Sequence, residues 1–159
     1  MLDWKEFSAA APAIAERGGA LLYEHGLGLG FLGTVRADGG PRVHPICPLL
    51  DGTGLYAFLV PGPKRDDLHR DPRYALHAET FPPPRQDDAF YLVGTVEFLD
   101  RPDLRRRLTQ QFLTERDLSS PWPGFEDQEL VELRIDRCLL TLTAPHGALG
   151  AGHTTWAAS

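Results

Sequence analysis

The shortness of the links between strand-like runs constrains this chain more than any other feature. Phe31-Leu32-Gly33-Thr34-Val35-Arg36 reads as a strand, Ala37-Asp38-Gly39-Gly40 as a tight turn, and residues 42–50 as a second strand. Asp51-Gly52-Thr53-Gly54 then turns the chain into a third strand at residues 55–60. Parallel neighbours need a crossover of a dozen or more residues, so links this short predict an antiparallel sheet. Pro45 and Pro48 cannot donate to a ladder and require the second strand to lie at an edge, at a bulge or in an irregular pairing.

The remaining runs fit the same plan. Residues 3–25 predict helix, with Asp3 as cap, Pro12 in the first turn of a second segment, and Ile14, Leu21 and Leu22 facing inward. Gly18-Gly19 predicts two pieces or a kink, and Gly26 is the expected stop. Pro61-Gly62-Pro63 ends the third strand, and residues 64–70 read as a short helix before Pro72. Strands are expected at 74–79 and 89–99, with Gly94 marking a bulge and a Pro-rich loop between them. Pro102 opens a helix to about Arg116, with Leu104, Leu108, Phe112 and Leu113 spaced to face a core. Residues 117–127 form a loop. Runs 130–135 and 138–143 supply the last strands, separated at most by a tight turn or bulge at Asp136-Arg137. The expected architecture is one mainly β domain over 1–159, an antiparallel barrel with peripheral helices. An N-terminal helical segment spans 1–28, and an irregular tail spans 144–159.

Composition excludes several function classes. No run approaches the ~18 consecutive apolar residues of a membrane-spanning helix, and the N-terminus lacks the layout of a signal peptide. Cys47 and Cys138 form no CxxC, which points to a cytoplasmic chain with ordinary buried thiols. A net charge of −6 argues against nucleic-acid binding, so Arg105-Arg106-Arg107 reads as a solvated helix face. Among the 16 basic residues only Lys5 and Lys64 are lysine, Asn is absent and Ile is scarce. Where Arg replaces Lys so freely, a retained Lys draws interest, because ammonium and guanidinium differ at a tight site. Lys5 falls on a terminal helix face; Lys64 is the one to follow.

Gly28-Leu29-Gly30-Phe31-Leu32-Gly33 matches G-x-G-x-x-G letter for letter. A dinucleotide fingerprint must follow a strand and open a helix, whereas here a helix precedes and a strand follows. These glycines are expected instead to give a flexible entry into the first strand. The candidate chemistry lies in Arg42-x-His44-Pro45 and Lys64-Arg65. If their strands pair through the Asp51 turn, Arg42 approaches Lys64 and Arg65. Three cations would then converge near the exposed amides of a short helix, as a phosphate site requires. Alternatively Lys64 and Arg65 merely pair with Asp66, Asp67 or Asp71. His69, His77, His146 and His153 lack zinc-like spacing, so no metal site is expected. Glu79 and Glu97 read as solvent-facing or paired, and no Ser/His/Asp or Cys/His arrangement is readable.

Three segments in order carry a family resemblance: Phe31-Leu-Gly-Thr-Val-Arg-x-Asp-Gly-x-Pro41-Arg-Val-His-Pro, Leu55-Tyr-Ala-Phe, and Lys64-Arg-x-x-Leu-x-Arg-Asp-Pro72-Arg-Tyr-Ala-Leu76. Together they resemble the pyridoxamine 5′-phosphate oxidase-like, flavin-binding split-barrel superfamily over about residues 29–100. The resemblance implies a six-stranded antiparallel split barrel, a homodimer, and flavin mononucleotide (FMN) in clefts at the subunit interface. It implies that Arg42, Val43, His44 and Pro45 contact the flavin ring and ribityl chain, and that Lys64 with Arg65 grips the phosphate. Pro63 stands where the oxidase proper has Arg, and the oxidase's C-terminal substrate signature is missing around Trp156, so that activity is not expected. The implied function is a flavin-dependent oxidoreductase acting on a small molecule. Alternatives are a 5-deazaflavin-dependent reductase and a non-catalytic flavin- or haem-binding dimer. Because the flavin ring itself carries hydride chemistry, no side chain is assigned as acid or base.

Overall fold

The computed structural model describes residues 1–80, 87–143 and 152–158. Helix α1 (Trp4–Ala10) starts in a capping box: Asp3 accepts from the Glu6 amide at 2.7 Å, and Glu6 accepts from the Asp3 amide at 2.9 Å. The helical segment breaks at Ala11, ahead of Pro12 at the first position of α2 (Pro12–Leu22), and not at the glycine pair. Gly18-Gly19 lies inside a continuous helix because a ring packs there: a Cβ at Gly18 would fall 2.4 Å from the Phe90 ring. α2 ends at Leu22 with Tyr23 as its cap, short of the expected stop at Gly26, which takes φ +77° in the turn that follows.

Eight strands form one antiparallel sheet: β1 (Gly30–Val35), β2 (Pro41–Ile46), β3 (Leu49–Leu50), β4 (Leu55–Leu59), β5 (Arg73–Ala78), β6 (Ala89–Phe98), β7 (Glu129–Leu142) and β8 (Gly152–Ala157). The order is β2-β1-β5-β6-β7-β4-β3, with β8 added on β7. The eight strands replace the six that the resemblance implied, and they differ from the seven strand-like runs of the sequence in three ways. The run 42–50 divides at Cys47-Pro48 into β2 and β3. The runs 130–135 and 138–143 are one strand, in which Asp136 is an extra residue opposite the Val93–Gly94 step. Gly152–Ala157, within the tail expected to be irregular, pairs with β7. Its Trp156 ring meets Phe7 edge-on at 5.0 Å, a burial that the surrounding Gly/Ala composition concealed.

The two end strands of the sheet, β2 and β3, are consecutive in the chain. The sheet therefore curls, and the covalent link at Cys47-Pro48 joins its edges where no ladder does. Gly28 makes that closure tight, since a Cβ there would stand 1.9 Å from the Pro48 carbonyl oxygen. Gly30 similarly abuts the His77 carbonyl, at 2.7 Å. These glycines are close-approach positions, not the flexible entry expected of them.

Inside the barrel pack Leu32, Leu76, Phe90, Leu92, Leu133 and Ile135. β4 is buried on both faces. Leu55, Ala57 and Leu59 enter this core, while Tyr56 and Phe58 meet α4 (Pro102–Glu115) through Leu104, Leu108 and Phe112. Helix α3 (Pro63–Arg70) follows β4 and packs on β1, so it carries Lys64 back to the barrel edge formed by β2. No helix among the described residues is long and apolar enough to cross a membrane.

Candidate functional site

Three carboxylates are buried among the described residues: Asp67, Asp88 and Glu132. Burial of a carboxylate is unfavourable unless partners offset it, so their partners separate structural from functional sites. Asp88 accepts from Arg17 at 2.6 Å and from the Thr143 amide and hydroxyl at 2.8 Å each, which ties α2 to the end of β7. Glu132 faces Glu97 directly across the β6–β7 ladder, and among the described residues its one hydrogen bond comes from Arg134 at 3.3 Å. Burial pushes its carboxyl above the ordinary value, Asp3 and Glu97 add to the rise, and Arg134 opposes it. A carboxyl whose pKa is raised in the folded state is destabilising once it ionises, so stability falls as pH climbs from the ordinary carboxylate range. Glu132→Gln is accordingly expected to raise the neutral-pH melting temperature by roughly 2–4 °C, the shift that about 1 kcal/mol produces in a domain of this size. The gain should vanish below pH 4; a gain that is the same at pH 4 and pH 7 would show that charge is not its cause.

Asp67 is the buried carboxylate beside the predicted site. It lies on α3 and is 3% exposed. It accepts from Thr34 Oγ1 of β1 at 2.9 Å, Arg42 Nε of β2 at 2.7 Å, and Arg70 Nη2 of its own helix at 3.1 Å. Although burial raises its pKa, these three donors hold the carboxyl below the usual range. The expected route to the site, pairing of the second and third strands through the Asp51 turn, does not form as drawn. β2 pairs with β1, and only Leu49-Leu50 pairs with β4. α3 brings Lys64 to β2 instead, where its ammonium donates to the Pro45 carbonyl at 3.2 Å.

Of the three cations expected to converge, two do so. Lys64 is partly buried and has no carboxylate partner among the described residues; burial lowers its pKa, with Cys47 acting in the opposite sense. Arg42 reaches the same end of α3 through Asp67. Arg65 turns the other way, donating to the Asp127 carbonyl at 3.1 Å and lying 3.3 Å from Glu129, which also meets His69 at 2.8 Å. The expected alternative, pairing with Asp66, Asp67 or Asp71, does not describe Lys64 or Arg65 either. Next to Lys64 and Arg42, His44 Nε2 is buried without a hydrogen-bond partner among the described residues. Burial and then the Lys64 and Arg42 charges lower the His44 pKa, with Asp67 opposing, so the imidazole is neutral at pH 7. Val43 and Pro45 alternate with Arg42 and His44 and face outward, Val43 being 65% exposed. A cleft of about 370 Å³ beside this strand is lined by Arg36, Arg42, Pro63, Asp66, Asp67 and Arg70. Among the described residues, the inward face of β2 thus brings an ammonium with no carboxylate partner and a half-engaged guanidinium close to an imidazole whose Nε2 has no partner, while Val43 and Pro45 form an apolar surface on the outward face of the same strand. The polar group of three suits the anionic end of a ligand.

The sequence profile described as pyridoxamine 5′-phosphate oxidase matches residues 24–141. The chain belongs to this family. It is a member of the oxidase-like split barrels and not the oxidase proper. Solved structures share the fold at low identity. A FAD-binding protein from Mesorhizobium loti is 24% identical with TM-score 0.56, the alignment covering 69% of this chain and 82% of that one. An F420 reductase is 23% identical with TM-score 0.60, over 75% and 94%. A haem-binding protein from Mycobacterium smegmatis is 16% identical with TM-score 0.61, over 86% of this chain but 56% of that longer one. No curated protein matches the sequence.

Among the described residues no group of His, Cys, Asp and Glu could hold a metal ion. The His146 considered for such spacing lies outside the described residues, as does the run 81–86. Sequence reasoning named Asp67 only as a neutralising partner for Lys64 or Arg65. Its junction role was missed because Thr34 and Arg42 approach it from strands 33 and 25 residues away.

Proposed function

We propose that the protein binds FMN along β2 and the first turn of α3, and serves as a flavin-dependent oxidoreductase for a small molecule. The observation that carries this reading is the partly buried Lys64 ammonium, held at the edge strand with no carboxylate to neutralise it among the described residues. When bound, the flavin supplies the hydride chemistry. Lys64 and Arg42 would hold the phosphate and the His44 Nε2 would meet a polar edge of the ligand from the inward face of β2, while Val43 and Pro45 would offer an apolar surface to the ring on its outward face. The cofactors named for the structural relatives, FAD, F420 and haem, support a planar, anionic ligand for this fold. A 5-deazaflavin would use the same two cations.

The test is an absorption spectrum of the purified protein with mass spectrometry of the ligand it releases. Absorbance near 450 nm with released FMN supports the reading. A released deazaflavin would retain the phosphate grip and replace the cofactor, while haem, or protein that stays colourless after incubation with FMN, would overturn the assignment.

The same reading makes the protein a homodimer with the cofactor at the interface. On the outer sheet face Val43 and Phe31 are 65% and 37% exposed, beside Val35, Pro41 and Ala75, an apolar surface that a second copy would cover. Light scattering at micromolar concentration should give twice the 17.6 kDa chain mass, and Phe31→Asp should shift it toward the monomer. A monomer mass for the unaltered protein would exclude the dimer.

A further inference from the structure

We infer that Asp67 is a positioning residue for the anion-binding arginine: it holds Arg42 by Nε and leaves both terminal nitrogens of the guanidinium to the ligand. The inference rests on the FMN reading of the groove and extends it to a residue that never touches the cofactor.

Arg42 and Arg73 are held by their carboxylates in different ways. Arg73 is gripped by Asp71 at both Nε (2.9 Å) and Nη2 (2.6 Å), so its fork is consumed by one carboxylate. Arg42 meets Asp67 through Nε alone, at 2.7 Å, and its Nη1 and Nη2 have no partner among the described residues. Asp67 cannot rotate to take more of it. One oxygen is shared between Arg42 and Thr34, and the other is engaged by Arg70. These donors come from β1, β2 and α3, so the carboxylate orientation is set by three separate elements. A guanidinium offers five donors in a planar fork, and fixing one edge aims the rest. The arginine side chain is 31% exposed whereas its carboxylate partner is 4% exposed, so the free edge faces the cleft and the held edge faces the protein. Lys64 and Asp67 are three residues apart on one helix, which puts them on neighbouring turns of one side. Helix α3 therefore delivers one cation directly and aims a second through its carboxylate.

The test compares FMN with riboflavin, which lacks the phosphate, by fluorescence-quench titration of the full chain. Arg42→Ala should weaken FMN binding roughly 10–100-fold and riboflavin binding less than twofold, the range set by a charge-assisted hydrogen bond to phosphate. Asp67→Asn should weaken FMN binding about 5–30-fold with riboflavin again nearly unchanged, and should add nothing in the Arg42→Ala background. If Asp67→Asn leaves the FMN-to-riboflavin ratio of the unaltered protein while Arg42→Ala lowers it, Asp67 does not aim Arg42 and the FMN reading survives. A further loss in the double variant would likewise overturn the inference, since the effect would not pass through Arg42. If neither Arg42→Ala nor Lys64→Ala moves the ratio, the FMN reading itself fails. Should Asp67→Asn not fold, Arg42→Lys decides. A lysine's single ammonium would be taken up by Asp67, so FMN binding should fall as in Arg42→Ala; binding equal to the unaltered protein would overturn the inference.

Discussion

Lys64→Ala is expected to weaken FMN binding by roughly 10–100-fold, whereas Lys5→Ala should leave it unchanged. A hydrogen bond to a charged partner contributes about 1.5–3 kcal/mol, and each 1.4 kcal/mol is tenfold in affinity. Lys64 starts from an unfavourable position, with its ammonium partly buried against a single neutral acceptor, the Pro45 carbonyl. An arriving phosphate would replace that weak contact with a charged one, so most of the gain belongs to the complex and not to the empty fold. The variant should therefore lose affinity while its melting temperature stays within a degree or two. Lys5 lies exposed on α1 and serves as the control for a generic change of charge. Equal FMN affinities for the two variants in a fluorescence-quench titration would remove Lys64 from the site.

Gly28→Ala should destabilise the protein by about 3 kcal/mol, at the upper end of what overpacking costs, lowering the melting temperature by roughly 6–12 °C. The added Cβ would stand 1.9 Å from the Pro48 oxygen and 2.9 Å from its carbonyl carbon. That obstacle is backbone, and it belongs to the proline that links the two edges of the barrel, so no rotamer change relieves it. Moving Pro48 displaces β2, and FMN affinity should fall along with stability. Gly26→Ala offers the comparison. Gly26 adopts φ +77° with nothing within 4 Å of an added Cβ, so the cost there is backbone strain alone, about 1–2 kcal/mol. Equal losses for the two variants, with FMN binding intact in both, would show that the Gly28–Pro48 contact does not close the barrel.

Local chemistry made much of the fold legible in the sequence. The Asp-Gly turns marked hairpins, Asp3 and Pro12 marked two helix starts, and the Leu104, Leu108 and Phe112 spacing marked the buried face of α4. Each signal acts within a few residues. The errors all involve distant partners. Residues 42–50 read as one strand because nothing local says that β2 will pair with β1 while Leu49-Leu50 pairs with β4. Gly18 looked like a weakness until Phe90, 72 positions later, filled the space above it. Gly152–Ala157 looked irregular because its strand character comes from β7 beside it and from the Phe7 ring under Trp156.

The same division runs through the candidate site. Residue type alone singled out Lys64, since this chain keeps lysine at only two positions, and the ordered motifs identified the split-barrel family. Which cations meet was decided by the tertiary structure. Arg65, adjacent to Lys64 in sequence, is carried toward Glu129 by the turn of the helix, while Arg42, 22 positions away, is drawn in by Asp67. Sequence neighbours on a helix diverge by about 100° per residue. A buried carboxylate, in contrast, gathers whatever donors the packed strands present to it, because leaving it unpaired would cost more than the fold can offset.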